Sequence, residues 1–186
     1  MLILASESPR RRELLQRIVP EFTVLSPQVE ELEDGAELEK IPQENALLKA
    51  AAVADLYPEA FVLGADTAVF AGGKMLGKPA SEAEAAAMLR SLSGRTHKVI
   101  SGVALICRKK NWSSHWSVVS EVTFKELSSR EIADYMAVVN VLDKAGAYAI
   151  QEHPELLGAT WKGELENIIG LPLVKLQKIL QEIRGL

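Results

Sequence analysis

The stretch His97-Lys98-Val99-Ile100-Ser101-Gly102-Val103-Ala104-Leu105-Ile106-Cys107-Arg108, then Lys109-Lys110-Asn111, then Trp116-Ser117-Val118-Val119-Ser120-Glu121-Val122-Thr123-Phe124, decides the fold class. Its two arms are rich in β-branched and apolar residues, and a short polar turn separates them. They read as long consecutive strands, antiparallel in character. Upstream, Ser81-Glu82-Ala83-Glu84 matches a capping box and predicts a helix reaching Leu92. Before it, Ala68-Val69-Phe70, the turn Ala71-Gly72-Gly73-Lys74 and Met75-Leu76 read as a hairpin. Phe61-Val62-Leu63-Gly64-Ala65 reads as a buried strand that ends at Asp66-Thr67.

Further out, Pro42 to Tyr57 is an Ala-rich helix. Leu2 to Ala5 is a short strand, and Ser8-Pro9 opens a helix with Leu14, Leu15, Ile18 and Val19 on its core face. Phe22 to Leu25 is a second short strand, and Glu30 to Glu39 an acidic exposed loop. Downstream, Ser128-Ser129-Arg130-Glu131 is another capping box opening a helix to Val139. Ala145 to Gly170 is glycine-dotted and shows no clear periodicity, and Pro172 opens a terminal amphipathic helix. Helices alternating with strands around an antiparallel pair give an α/β class with a mixed sheet, read as one domain over 1–186.

The chain has 186 residues, 48% of them hydrophobic and 25% charged, a balance that excludes disorder and leaves enough apolar surface for a core without disulfides or metals. With 21 Lys+Arg against 25 Asp+Glu the formal net charge is −4, which disfavours non-specific nucleic-acid binding but leaves room for a small anionic ligand in a local basic pocket. The single cysteine, Cys107, lies in an apolar run and reads as a buried, inert thiol. The N-terminal apolar run is too short for a signal peptide, and no run approaches a membrane span. The expectation is a soluble, cytoplasmic protein without membrane contact.

Several segments carry chemistry. Ser6-Glu7-Ser8-Pro9-Arg10-Arg11-Arg12 places three arginines at a helix N-terminus, where the dipole already favours anions. A bound phosphate offsets that arrangement, and a solvated basic turn is the alternative. Asp66-Thr67, at the expected strand end, suits a cation or a positioned water, or else is a turn-forming pair. Glu30-Glu31 is a solvated run or one half of a carboxylate metal site. Lys49, in an alanine-rich helix, snorkels or reaches a phosphate, and Lys78-Pro79 has the same two readings. Asp143-Lys144-Ala145-Gly146-Ala147-Tyr148 with Gln151 is a polar patch, or a turn with an internal ion pair. His97, His115 and His153 have no metal-like spacing, and zincin, P-loop and serine-hydrolase motifs are missing from the sequence.

Taken together, these segments resemble the Maf family of nucleotide pyrophosphatases, or septum-formation inhibitor proteins. The resemblance runs from Leu2-Ile3-Leu4-Ala5-Ser6-Glu7-Ser8-Pro9-Arg10-Arg11-Arg12-Glu13-Leu14-Leu15 through Gly64-Ala65-Asp66-Thr67, Gly77-Lys78-Pro79 and Ser93-Gly94-Arg95-Thr96-His97. It ends with Asp143 to Gln151 and Gly170-Leu171-Pro172-Leu173. It implies an elongated Maf/ITPase-like α/β fold with a mixed sheet flanked by helices and two lobes around a nucleotide cleft. It further implies hydrolysis of a nucleoside triphosphate to the monophosphate and pyrophosphate with Mg²⁺ or Mn²⁺, and a homodimer. The SPRR, GADT and DKAGAY-x-IQ segments are similar to those of the dTTP/UTP branch. By position, Asp66, Glu31 and Lys78 would be catalytic, and Asp66 and Glu31 would hold the metal. Ser8, Arg10, Arg11, Lys49, Thr67 and Gln151 would bind substrate. Where the family has a Gly-rich stretch after the glutamine, this chain has Glu152-His153-Pro154-Glu155.

Two rival readings stand beside this one. A nucleotide-binding regulator of cell division acts without turnover, and a member of the branch acting on methylated GTP shares the reaction but not the base. An RNA-binding module is disfavoured by the net charge of −4.

Overall fold

A computed structural model describes residues 1–184. Among them seven strands form one mixed sheet in the order β2-β1-β3-β5-β6-β7, with β4 paired to β3. The strands are β1 (Leu2–Ala5), β2 (Thr23–Leu25), β3 (Phe61–Ala71), β4 (Lys74–Leu76), β5 (Thr96–Cys107), β6 (Trp112–Thr123) and β7 (Thr160–Lys162). The helices are α1 (Pro9–Gln16), α2 (Ile41–Leu56), α3 (Glu82–Leu92), α4 (Ser129–Val138), α5 (Pro154–Leu157), α6 (Leu165–Ile169) and α7 (Leu173–Arg184). β1 runs parallel to both β2 and β3, whereas β4 on β3 and β7 on β6 are antiparallel. The α/β class with a mixed sheet is therefore as expected.

The chain forms two compact units. The first comprises Met1–Asp66, Ser101–Val118 and Gly170–Leu186. Its core gathers Ile3, Ala5, Ala46, Ala50, Val53, Val62, Ala104 and Ile106. Small residues dominate because α2 lies almost on the backbone of the sheet. A Cβ on Gly64 of β3 would fall 2.2 Å from the Ala46 carbonyl oxygen and 2.8 Å from the Ala50 nitrogen. One on Gly102 of β5 would fall 2.2 Å from the Pro42 oxygen. Neither approach admits any side chain but hydrogen. Cys107 is fully buried, with Sγ 3.7 Å from the Pro58 carbonyl oxygen.

The second unit comprises Thr67–Ile100 and Val119–Ile169. Its core is built on Leu89, Leu92, Val99, Phe124, Ile132, Tyr135 and Tyr148. The His97 and Tyr148 rings both meet Phe124 edge-on at 4.9 Å, and His97 Nε2 lies 2.8 Å from the Tyr148 hydroxyl. α4 begins with the full capping box expected at Ser128 and Glu131. At Ser81 only half of the box forms: the hydroxyl accepts from Glu84 N, but the Glu84 carboxylate accepts from Ala80 N at 2.7 Å instead.

Three sequence expectations need correction, and one unassigned segment gains its elements. α1 stops at Gln16, so Ile18 and Val19 follow it in a turn, although Val19 is still buried. β6 starts at Trp112, where the ring packs edge-on against Phe61 at 5.7 Å and extends the strand past the polar Ser113-Ser114 pair. β3 does not end at Asp66-Thr67 but runs through both to Ala71, because the Asp66 carboxylate finds donors and need not break the strand. The segment 145–170 contains α5, β7 and α6, joined by left-handed residues at Gly146, His153, Gly158 and Gly163.

Candidate active site

Ser8 caps α1 as expected, its backbone extended and its Oγ accepting from Arg11 N at 3.5 Å. Pro9 fixes the first turn. The helix then turns Arg11 inward, where its guanidinium is spread over several acceptors. Nε donates to the Gly170 carbonyl at 3.0 Å, Nη1 to Ser6 Oγ at 3.3 Å, and Nη2 lies 4.0 Å from Asp66 Oδ1. Burial pushes the Arg11 pKa below its ordinary value, and the charges of Asp66 and Glu31 oppose that shift. Arg10, on the same turn, is partly exposed, and Arg12 is exposed.

Asp66 is the hub of the first unit. Its side chain is 14% exposed and takes a different donor on each oxygen. Lys49 Nζ donates to Oδ1 at 2.8 Å, and Asn45 Nδ2 donates to Oδ2 at 3.3 Å. The Lys49 side chain is only 8% exposed and also reaches Glu31 Oε2 at 2.7 Å. One buried ammonium thus bridges a strand carboxylate and a carboxylate of the acidic loop, which desolvates Lys49 but leaves it paired twice. Of the two readings of Lys49, snorkelling to solvent does not occur. Glu31, half exposed, is drawn out of its solvated run into this cluster.

The structure therefore brings together Arg11, Lys49, Glu31 and Asp66, with Ser8 at the helix start nearby in sequence. Thr67, Lys78 and Gln151 belong to the second unit. There, Thr67 is partly buried, and Lys78 and Gln151 are exposed. The Lys78 loop is tied down by the Gly146 N–H donating to the Gly77 carbonyl at 3.0 Å. The polar patch before Gln151 does contain an ion pair: buried Lys144 donates to Asp143 Oδ1 at 2.9 Å and to the Asn140 carbonyl at 2.6 Å. Lys144 also lies 3.4 Å from Glu152, so the charge that stands in place of the Gly-rich stretch is paired.

Asn45 is the site residue that the sequence reading missed. Its signal was available: an asparagine four residues before Lys49, on the same face of a helix otherwise made of good helix formers. Only the fold shows that this face meets Asp66.

The donor set suits a divalent cation in one way only. Among the described residues no group of three or more His, Cys, Asp or Glu is placed to hold a metal ion. Glu31 and Asp66 offer two carboxylates, the number with which Mg²⁺ is commonly held when substrate phosphates and water complete its shell.

The family model described as Maf-like protein matches residues 1–183. A curated relative from Akkermansia muciniphila, named dTTP/UTP pyrophosphatase, is 46% identical over 183 residues, covering 96% of this chain and 94% of its own. Relatives of the same name from Moorella thermoacetica and Photorhabdus laumondii are 45% and 42% identical, covering 96% and 100% of this chain and 93% and 95% of their own. Among solved structures, the Staphylococcus aureus Ham1 protein superposes with a TM-score of 0.55 at 16% identity, covering 97% of this chain and 98% of its own, which is a likeness of fold.

Proposed function

Because the chain belongs to the Maf-like protein family, we propose that it is a nucleoside triphosphate pyrophosphatase hydrolysing dTTP and UTP to the monophosphate and pyrophosphate. The observation that carries this reading is the cluster around Asp66, in which carboxylates of a strand and a loop share a buried lysine, beside an arginine-bearing helix start. That combination suits a polyanion whose charge must be neutralised while a water is positioned.

In this reading water attacks the α-phosphorus, the bond from that phosphorus to the bridging oxygen breaks, and pyrophosphate departs. Ser8, Arg10 and Arg11 hold phosphate oxygens at the α1 N-terminus, where the helix dipole adds to the cationic field. Lys49 and Lys78 neutralise charge developing on the departing pyrophosphate, and contributions of this electrostatic kind are typically about 3 kcal/mol per well-aimed donor. Asp66 or Glu31 accepts the proton of the attacking water. Thr67 and Gln151 contact the nucleotide. Asp66 and Glu31 would also hold Mg²⁺ or Mn²⁺, which when bound polarises the phosphate and lowers the pKa of water. The same reading takes the protein as a cytoplasmic homodimer.

A product-resolved turnover panel tests it. Purified protein with Mg²⁺ or Mn²⁺ is given each common NTP and dNTP plus methylated GTP, with Asp66→Asn as control. Monophosphate and pyrophosphate, formed fastest from dTTP and UTP and lost in the variant, are expected. The same products fastest from a methylated GTP would overturn the base assignment and keep the reaction. No turnover with any nucleotide and either metal would overturn the enzyme reading in favour of a non-hydrolysing regulator.

A further inference from the structure

The Asn45 side chain sits on the buried face of α2, which it shares with Ile41, Ala46 and Lys49, and the residue is 3% exposed. Asparagine is a poorer helix former than alanine, and a buried amide must be satisfied. Asn45 is satisfied in a particular way. Its Oδ1 accepts from the Leu32 backbone N–H at 2.7 Å, and its Nδ2 donates to the Leu32 carbonyl at 3.0 Å. The side-chain amide therefore pairs with the backbone of the acidic loop as a neighbouring strand would, at the residue directly after Glu31. The second Nδ2 hydrogen goes to Asp66 Oδ2 at 3.3 Å.

Two consequences follow from this geometry. Leu32 is clamped to α2, so Glu31 is delivered to Lys49, one turn further along the same helix face. The Asp66 carboxylate receives Lys49 on Oδ1 and Asn45 on Oδ2, which fixes the plane of the carboxylate as well as its position. A lone lysine would leave the group free to rotate about its last torsion, which is a soft one.

We infer that Asn45 is a positioning residue that sets the acidic loop and the Asp66 carboxylate in one geometry for catalysis. It touches no substrate in this account and acts through Glu31 and Asp66. The inference rests on the pyrophosphatase reading and adds to it a residue that the chemistry of the reaction does not by itself require.

The test uses the full chain as wild type, Asn45→Ala and Asn45→Asp. Pyrophosphate release from dTTP with Mg²⁺ gives kcat and KM, and hydrogen exchange followed by mass spectrometry reports on peptides covering Leu32. In Asn45→Ala, exchange at Leu32 should speed up and kcat should fall about tenfold or more, with KM changed less than about threefold, the pattern of lost transition-state stabilisation. Asn45→Asp is isosteric and keeps an oxygen for the Leu32 N–H, so exchange should rise less. Its kcat should still fall at least as far, because Asp66 Oδ2 then faces an acceptor. In a Glu31→Gln background the effect of Asn45→Ala should shrink, since the two residues act as a unit.

Several results would overturn the inference: kcat within about twofold of wild type in both variants, a rise in KM alone, or unchanged Leu32 exchange in Asn45→Ala. If Asn45→Ala does not fold, Asn45→Asp decides. If wild type itself releases no pyrophosphate, the functional reading and the catalytic part of this inference fall together. The exchange result still decides separately whether Asn45 holds the acidic loop.

Discussion

His97 is buried, with Nε2 on the Tyr148 hydroxyl and Nδ1 lacking a hydrogen-bond partner. Burial pushes its pKa from the ordinary 6.5 down to about 4. The folded state therefore holds this ring neutral while the unfolded chain takes up a proton below pH 6.5. Stability from this group is present in full above that value and is lost as the pH falls towards 4, by about 3 kcal/mol in all. Urea unfolding of wild type and His97→Gln at pH 7 and pH 4.5 should show a steeper loss in wild type; equal slopes would contradict the assignment. At this scale the sequence told identities better than roles. Asp66 and Glu31 meet on Lys49, but Lys49 reads from its surroundings as a choice between snorkelling and a phosphate. Asn45 carries only a weak local mark, its place four residues before Lys49, because its three hydrogen bonds reach 13 and 21 residues away.

Elements were legible wherever their ends are chemically marked. Ser8, Ser81 and Ser128 all cap the helices they were expected to cap. The failures are tertiary in origin. Aspartate is depleted in strands, so β3 reads as ending at Asp66, yet Lys49 and Asn45 satisfy the carboxylate and the strand continues for five more residues to Ala71. The 145–170 segment has no period because long-range bonds shape it: Asn167 Nδ2 donates to the Val99 carbonyl at 3.1 Å and Gly146 N to Gly77. The seat of α2 on β3 carries a prediction of its own. Gly64→Ala should cost about 2–3 kcal/mol of stability, since the intruding methyl meets backbone that cannot rotate away. It should also lower turnover by lifting Asn45 and Lys49 off Asp66. Chemical denaturation with parallel kinetics checks both, and a variant as stable and as active as wild type would refute the argument.

At the scale of the whole molecule, neither unit is a continuous length of chain. The first draws on three segments and the second on two. A fragment of residues 1–100 accordingly lacks Ser101–Val118 and Gly170–Leu186, which the first unit needs, and Val119–Ile169, which the second needs. Circular dichroism and one-dimensional NMR of that fragment should show no cooperative fold, whereas a folded fragment would show that one unit stands without its remote segments. The burial of Cys107 has a practical side. Because the sequence holds no other thiol, a cysteine introduced at Asp34 in the acidic loop would be the single accessible nucleophile for maleimide. A fluorophore or spin label there would report whether the loop moves on nucleotide addition, without any prior removal of native cysteines.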